Sequence, residues 1–206
     1  MTKMNPPAIF VGDAAGIDFL NSRATPVDTP FEWIDDGAGL VQWLREAGLV
    51  PDAALKEVEK SAMPGELDAV AANARSLREW FREFVIKHRG SRLGAEAISE
   101  LGPLNRLLAR DEQYSAVAVA EADGGSSGLQ WRRERRWKSP ESLLTPVAEA
   151  LGDLVCNEAF TDVKACEGHD CTLMFIDRTR AKRRRWCSMA VCGNRAKQAA
   201  FRAKSN

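Results

Sequence analysis

The sequence predicts an α+β fold: a mainly helical N-terminal domain with two short β-hairpins, followed by a small unit of one β-hairpin and one helix. Three observations lead to this prediction. Between Gly65 and Gly90 apolar residues recur at helical spacing, whereas around Trp131 they alternate with polar residues, which is the period of a strand. Four of the five cysteines fall within 27 residues near the C-terminus, which predicts a separate unit that they organise.

The first elements are predicted to be a hairpin and a short helix. Residues 8–11 and 17–20 are strand-like, and the Gly-Asp-Ala-Ala-Gly segment at 12–16 suits a turn between them. Residues 40–47 then place Leu, Val, Trp, Leu and Ala at helical spacing, and Gly48 provides a left-handed helix stop.

Two longer helices and a second hairpin follow. The helix between Gly65 and Gly90 carries its apolar residues in steps of four and three along one face, at Val70, Ala74, Leu77, Phe81 and Phe84. Residues 98–108 are helical with a break at Gly102-Pro103. The strands of the hairpin are predicted at 117–119 and 129–137, around a turn at 123–128. Ser139 and Pro140 then predict the start of a helix that runs to about Phe160.

Charge divides the chain near residues 161–164, and we expect two domains, 1–162 and 163–206. The net charge of the whole chain is zero, but residues 1–162 hold 18 Lys/Arg against 26 Asp/Glu, whereas residues 163–206 hold 11 against 3. Such asymmetry indicates a basic unit that meets an anionic partner or docks on its own acidic body. No apolar run approaches the ~18 residues of a membrane span and no signal peptide is evident, so we expect a cytoplasmic protein with no membrane partner.

The cysteines form two pairs with metal-ligand spacing. Cys166 and Cys171 are separated by four residues, Cys187 and Cys192 likewise, and fifteen residues lie between the pairs. Two pairs of thiolates fit a tetrahedral Zn²⁺ ion, and four of them close its coordination shell, so the sequence predicts one structural zinc rather than a catalytic one. Ordinary thiols are the alternative reading. His169, inside the first pair, is a possible substitute ligand or a solvated side chain.

The segment between the pairs is predicted to go out and return as a hairpin. Residues 172–176 are strand-like, 179–182 can turn, and 183–186 bring the chain back, after which a helix over 194–204 follows the last cysteine. A zinc knuckle, a hairpin and a helix that carries the last ligand near its start form a treble-clef-like arrangement.

The C-terminal motif resembles a known family. Residues 184–197, which read Arg-Arg-Trp-Cys-Ser-Met-Ala-Val-Cys-Gly-Asn-Arg-Ala-Lys, closely resemble the signature of the CGNR zinc-finger family, and Cys166, Cys171, Phe175 and Asp177 fit the same pattern. Residues 17–21 and 40–49 are similar to the ABATE domain that precedes this finger. The resemblance implies a stress-linked bacterial transcription regulator whose finger binds DNA and whose N-terminal domain is regulatory.

The cations near the zinc ligands are the candidate nucleic-acid contacts: Arg178, Arg180, Lys182, Arg183, Arg184, Arg185, Arg195, Lys197, Arg202 and Lys204. Residues 163–206 carry a net charge of about +8. A zinc ion with four thiolates contributes a net −2, so balancing it leaves about six positive charges to meet phosphates. Trp186 could stack on a base or cover the metal. The alternative function is a zinc-stabilised protein-interaction or self-assembly module that does not bind DNA.

For the N-terminal domain the sequence suggests a sensor of an unknown small-molecule effector. Asp18 and Asn21 are candidate ligand contacts, with a local hydrogen-bonding role as the alternative. We expect no enzymatic activity, because no phosphate loop or nucleophile motif is present and the chain has only two histidines. A homodimer is a further possibility that the sequence leaves open.

Overall fold

The computed structural model describes residues 6–120 and 128–204 as seven helices and three two-stranded antiparallel sheets. The helices are α1 (Ala15–Leu20), α2 (Gly37–Glu46), α3 (Asp52–Ser61), α4 (Glu66–His88), α5 (Gly102–Leu108), α6 (Leu144–Asn157) and α7 (Asn194–Lys204). The strands are β1 (Arg23–Ala24), β2 (Phe31–Glu32), β3 (Gln113–Val119), β4 (Leu129–Arg135), β5 (Val163–Ala165) and β6 (Met174–Ile176). The predicted mainly helical α+β class is therefore correct.

One hydrophobic core joins the helical body to the C-terminal unit. Helix α4 contributes Val70, Ala74 and Phe81, each fully buried, and contacts α1 and α2. Helix α1 lies between α6 and β6, and the β6 residue Phe175 is completely buried in the same cluster as α1 and α6. The C-terminal unit is consequently built onto the body rather than tethered to it. In the described residues, no helix is both long and apolar enough to cross a membrane.

Several predicted elements are confirmed. Helix α2 ends as expected, with Gly48 at φ +65°, and α4 fills the predicted interval. A 3-10 turn at Ala95–Glu100 ends just before the predicted Gly-Pro break, and α5 begins at that break. The predicted second hairpin is also present, since β3 pairs with β4. The predicted turn at 123–128 lies outside the described residues except for Gly128.

The start and end of α6 differ from the prediction, and α3 is a helix that the sequence analysis does not predict. Ser139 precedes a 3-10 turn, Pro140–Leu143, rather than the α-helix, and its carbonyl accepts from the Ser142 hydroxyl at 2.6 Å. Helix α6 starts at Leu144 and ends at Asn157, short of the predicted Phe160.

The predicted opening hairpin is wrong: residues 15–20 form α1. Six residues are too few for periodicity to separate helix from strand, so tertiary contacts decide. Gly16 allows α1 to approach α6 closely, since a Cβ at Gly16 would lie 2.7 Å from the Ala150 carbonyl oxygen. The first of the two small N-terminal sheets is instead formed by β1 and β2.

The predicted pairing of the C-terminal hairpin is also wrong. Strand β6 pairs with the preceding β5, in the register Val163↔Ile176, and not with residues 183–186, which form no strand. The segment from Cys166 to Cys171 is therefore itself the turn of the hairpin. Residues 183–185 are three consecutive arginines and offer no apolar alternation to pair with β6.

Candidate metal centre and basic surface

The four predicted cysteines converge on one point. Their Sγ atoms all lie within 4.8 Å of one another, with 3.9 Å between Cys171 and Cys187 and 3.6 Å between Cys187 and Cys192. Zinc–sulfur bonds of about 2.3 Å in a tetrahedron place sulfurs about 3.8 Å apart, which these distances bracket. Three of the four cysteines are buried, and Cys171 is partly exposed.

Backbone groups surround the sulfurs closely. The N–H of Cys187 donates to Cys166 Sγ at 3.2 Å, and the N–H of Gly168 donates to the same sulfur at 3.4 Å. Such bonds orient a thiolate ligand and stabilise its charge. Gly168 leaves no room for a side chain, because a Cβ there would lie 2.7 Å from Cys192 Sγ.

The thiols perturb one another when no cation balances them. A hydrogen bond from Cys187 lowers the pKa of Cys171 to about 5, while that same contact, with burial, raises the pKa of Cys187. Burial raises the pKa of Cys192 to about 12. Cysteine binds a metal ion as the thiolate, so a divalent cation held by these sulfurs would favour the ionised form of each.

His169 is not a ligand in this arrangement. Its side chain is 89% exposed and pairs with the neighbouring Asp170 carboxylate, so the solvated alternative is correct. Asp170 adopts φ +62°, which lets the segment between the first two cysteines turn back. Cys192 lies in a π-helical turn, Met189–Gly193, that leads directly into α7, close to the predicted position of the last ligand.

Asp177 organises the chain between the two cysteine pairs. Its fully buried carboxylate accepts from Lys164 Nζ at 2.6 Å, from the Thr179 hydroxyl at 2.6 Å and N–H at 3.0 Å, and from the Arg184 N–H at 2.9 Å. Burial would raise the pKa of Asp177, but these donors outweigh it and hold the pKa well below its usual range. Two features of the sequence mark Asp177: it fits the CGNR pattern, and it is the only acidic residue after Asp170.

Arg184, a predicted nucleic-acid contact, points inward instead. Its guanidinium lies 4.1 Å from the centre of the Phe175 ring and donates to the carbonyls of Val11, Trp186 and Cys187. It also pairs with the Asp13 carboxylate. A side chain whose donors are used in this way is unavailable to phosphates, and Arg184 therefore belongs to the structural core of the unit.

Three further predicted contacts are ion-paired. Arg178 pairs with Glu158 and Lys182 with Asp162, so both tie the C-terminal unit to the body. Arg185 pairs with Glu167 and lies 4.9 Å from the Trp186 ring. Trp186 itself is half-buried, within 3.3 Å of a Cβ built on Gly193, which favours its covering role beside the metal site.

The remaining predicted cations are exposed and make no ion pair within the described part of the chain. They are Arg180, Arg183, Arg195, Lys197 and Arg202. For Lys204 the structure describes only the helical backbone. On α7, Arg195 and Arg202 line one side of a cavity of about 510 Å³, and the segment that carries Gly168 and His169 lines the other.

The chain matches two protein-family models. A model described as "Putative stress-induced transcription regulator", ABATE, matches residues 13–158, which is most of the sequence. The chain belongs to the ABATE family. The CGNR zinc finger matches residues 163–205, so the four-cysteine cluster is the structural zinc site of that finger. A search of curated proteins finds no match.

Asn21 ties the ABATE segment to the CGNR finger. Its amide Nδ2 donates to the Met174 carbonyl at 2.9 Å, and its Oδ1 accepts from the Met174 N–H at 2.9 Å. The residue is 1% exposed. Both polar atoms of the Asn21 amide are thus bonded to the protein's own backbone. This is the local hydrogen-bonding role that the sequence left as the alternative, and it does not support ligand binding by Asn21.

Asp18 is likewise engaged inside the ABATE segment. Its Oδ1 accepts from the Gly12 N–H at 2.8 Å, and the residue is 9% exposed. Burial raises the pKa of Asp18 to about 6, although the backbone N–H groups of Gly12 and Val11 partly offset it. Next to it, the Gly12 carbonyl accepts from the Ile176 N–H at 2.9 Å, which adds a second tie to the finger.

Proposed function

We propose that the protein regulates transcription by binding DNA through its CGNR finger, as the description of its family suggests. The observation that carries the proposal is the set of five exposed cations of the finger, named above, that form no ion pair with any described residue. The zinc and the Asp177 contacts hold their backbone in a fixed arrangement, so the charges are preorganised for an anionic surface.

Helix α7 is the element best suited to enter a groove. Along its described length it contacts mainly the turn that carries Cys192, and Arg195, Lys197, Gln198 and Arg202 are all exposed. Arginine and glutamine side chains make the bidentate contacts that identify guanine and adenine in the major groove. Phosphate contacts would position the helix, and these side chains would read bases.

A second basic groove extends the surface onto the ABATE segment. It has a volume of about 660 Å³ and runs between the end of α4 and the finger. Arg89, Arg183 and Arg185 line it, and Glu167 is its one acidic lining residue among those described. A DNA backbone that contacts the finger can therefore also contact the body, which couples the two parts.

The test is duplex binding by the zinc-loaded full-length protein, measured by fluorescence anisotropy over a series of salt concentrations. If five phosphates are engaged, the slope of log affinity against log salt should be near −4.5. Lys197→Gln should make the slope shallower by about 0.9, and Lys60→Gln, an exposed lysine on α3, should leave it unchanged. A salt-independent affinity would contradict the proposal. Selection of DNA from a random pool would then define the preferred sequence.

One observation favours the alternative of a protein-interaction module. Arg178, Lys182 and Arg184 pair with Glu158, Asp162 and Asp13 of the N-terminal domain, so part of the basic finger docks on its own acidic body. If the full-length protein ignores duplex DNA at physiological salt, this docking is the better account of the charge asymmetry.

We propose that the N-terminal domain, residues 1–162, which contains the ABATE match at 13–158, senses a small-molecule effector and controls the finger through the core they share. In this role the protein acts in the cytoplasm and needs no enzymatic activity, since the zinc shell is closed by four cysteines. A thermal-shift screen of metabolites on the full-length protein tests the sensor role, and a lack of any hit would count against it.

A further inference from the structure

The hairpin of β3 and β4 exposes a continuous apolar face. Val117 pairs across the strands with Trp131, and Val119 with Leu129, so all four side chains lie on the same side. They are 65%, 74%, 61% and 78% exposed, respectively. Large apolar residues in one contiguous exposed cluster mark an interaction surface, whereas isolated ones do not.

The hairpin is held to the body at its base. Arg135, at the end of β4, bonds Asp111 at 2.6 Å and Glu149 at 2.6 Å, and Gln113 at the start of β3 donates to Glu149. On the opposite face, Tyr114 donates to Glu134 at 2.7 Å. A lone two-stranded hairpin is marginally stable in water, so a covering layer over its distal half, where the apolar residues lie, would stabilise it.

We propose that this apolar face is a homodimer interface and that a second copy of the chain covers it. Val117, Val119, Leu129 and Trp131 together present on the order of 500 Å² of surface, the size of the largest patch on a typical monomer. Two copies packed face to face bury about 1,000 Å², which reaches the lower bound of a specific interface.

Charge and chemistry favour a second copy over other occupants. The four residues include no charged side chain, and β3 has none along its whole length. Arg133, which is exposed on the same face, borders the patch on the side nearest the base of the hairpin, so self-association brings no like charges together within the four-residue patch itself. Three of the four residues are aliphatic and suit protein packing rather than base stacking.

The dimer would present two CGNR fingers at a fixed separation, as dimeric regulators do when they read two half-sites. This consequence rests on the proposed function, but the association does not. Self-association is measured without nucleic acid, so an absence of dimers can be distinguished from an absence of DNA binding.

The experiment is sedimentation velocity of the zinc-loaded full-length protein over a wide concentration range. We expect a monomer–dimer equilibrium whose dissociation constant rises about 30-fold or more in Trp131→Glu, because a buried tryptophan is a typical interface anchor. Gln130→Glu is the matched control: it adds the same charge to the adjacent residue on the opposite face, and it should dimerise like the wild type. A wild type that is monomeric at every concentration, or a Trp131→Glu variant that dimerises equally well, would overturn the proposal.

Hydrogen exchange on the wild type provides a second measurement if Trp131→Glu misfolds. Amides of residues 113–119 and 129–135 should become more protected as concentration rises, while those of α4 should not change. Protection that is independent of concentration would overturn the proposal. So would a monomer whose affinity for single-stranded DNA falls on Trp131→Ala, since that result assigns the face to nucleic acid.

Discussion

Asn21 and Met174 form a reciprocal pair of hydrogen bonds across the junction of the two matched segments, each 2.9 Å long and buried. One side-chain amide satisfies both backbone groups of a residue in β6, so it takes the place of a neighbouring strand. Because β6 leads from the first cysteine pair toward Asp177, this contact fixes the finger to the body.

Asn21→Ala should lower the free energy of unfolding by about 2–4 kcal/mol, because it leaves the buried N–H and carbonyl of Met174 without partners. Urea denaturation of the zinc-loaded protein measures the change. Asn157→Ala, at an exposed position at the end of α6, is the control and should change stability by about 0.5 kcal/mol or less. Equal effects of the two substitutions would contradict the role given to Asn21.

The sequence predicted long elements better than short ones, for a physical reason. Helix α4 has 23 residues, so its apolar stripe repeats over many turns and indicates a helix unambiguously. Helix α1 has six residues, and its conformation depends on Gly16 meeting α6, a contact that no local pattern reveals. The pairing of β6 with β5 has no local signal, because the cysteine spacing of the intervening segment indicates a metal site but does not show that this segment is also a hairpin turn.

The raised pKa of Asp18 predicts a specific dependence of stability on pH. The folded state binds this proton up to about pH 6, whereas the unfolded state releases it near 3.8, so Asp18 makes the protein less stable as the pH rises between these values. Asp18→Asn removes this effect. The stability of the variant relative to wild type should therefore improve by about 1–2 kcal/mol from pH 4 to pH 7.

Denaturation of both proteins across this pH range checks the prediction, because effects common to both, including zinc release, cancel in the difference. Asp28→Asn, at an exposed position, controls for the substitution itself and should change stability by about 0.5 kcal/mol or less. A constant difference between Asp18→Asn and wild type would show that the buried carboxyl does not titrate as described.

Removal of zinc should unfold the finger selectively. A structural zinc site contributes on the order of 10–16 kcal/mol of apparent binding energy, which the small C-terminal unit cannot replace with apolar burial. On chelation, amides of β5, β6 and α7 should lose protection from hydrogen exchange, while the centre of α4 stays protected.

Two cysteine variants sharpen this test. Cys187→Ser should lose most of its bound zinc in metal analysis, whereas Cys156→Ser should retain one zinc per chain, because Cys156 lies exposed on α6 outside the cluster. Equal zinc content in the two variants would rule out the four-cysteine site.

Gly168→Ala should weaken zinc binding by at least about 10-fold, because the new methyl group would displace Cys192 Sγ and disturb a backbone donor to Cys166. Competition with a chromogenic chelator measures the affinity. In Gly152→Ala, by contrast, the nearest atom to the new Cβ is 3.7 Å away, and the substitution lies in α6. That variant should keep its zinc affinity and gain about 0.5–1 kcal/mol of stability from its helix propensity. Unaltered zinc affinity in Gly168→Ala would contradict the close approach.

The zinc ligands could be predicted from spacing, but the roles of the arginines beside them could not. Residues 183, 184 and 185 are all arginine, and the sequence treats them alike. Only the turn of the chain beyond Asp177 separates them: it directs Arg184 onto Phe175 and toward Asp13, which is 171 positions away in the sequence, and leaves Arg183 exposed. Such long-range contacts have no local signature.

Arg184 and Arg180 should therefore respond in opposite ways to the same substitution. Arg184→Gln removes donors from several carbonyls and the partner of Asp13, and should cost about 2–4 kcal/mol of stability. Arg180→Gln, at an exposed position, should change stability by about 0.5 kcal/mol or less, yet should make the salt slope of duplex binding shallower by about 0.9. Urea denaturation and anisotropy on the same preparations give both quantities. If Arg180→Gln leaves DNA binding intact while Arg184→Gln abolishes it without loss of stability, then Arg184 faces the DNA and its inward placement is wrong.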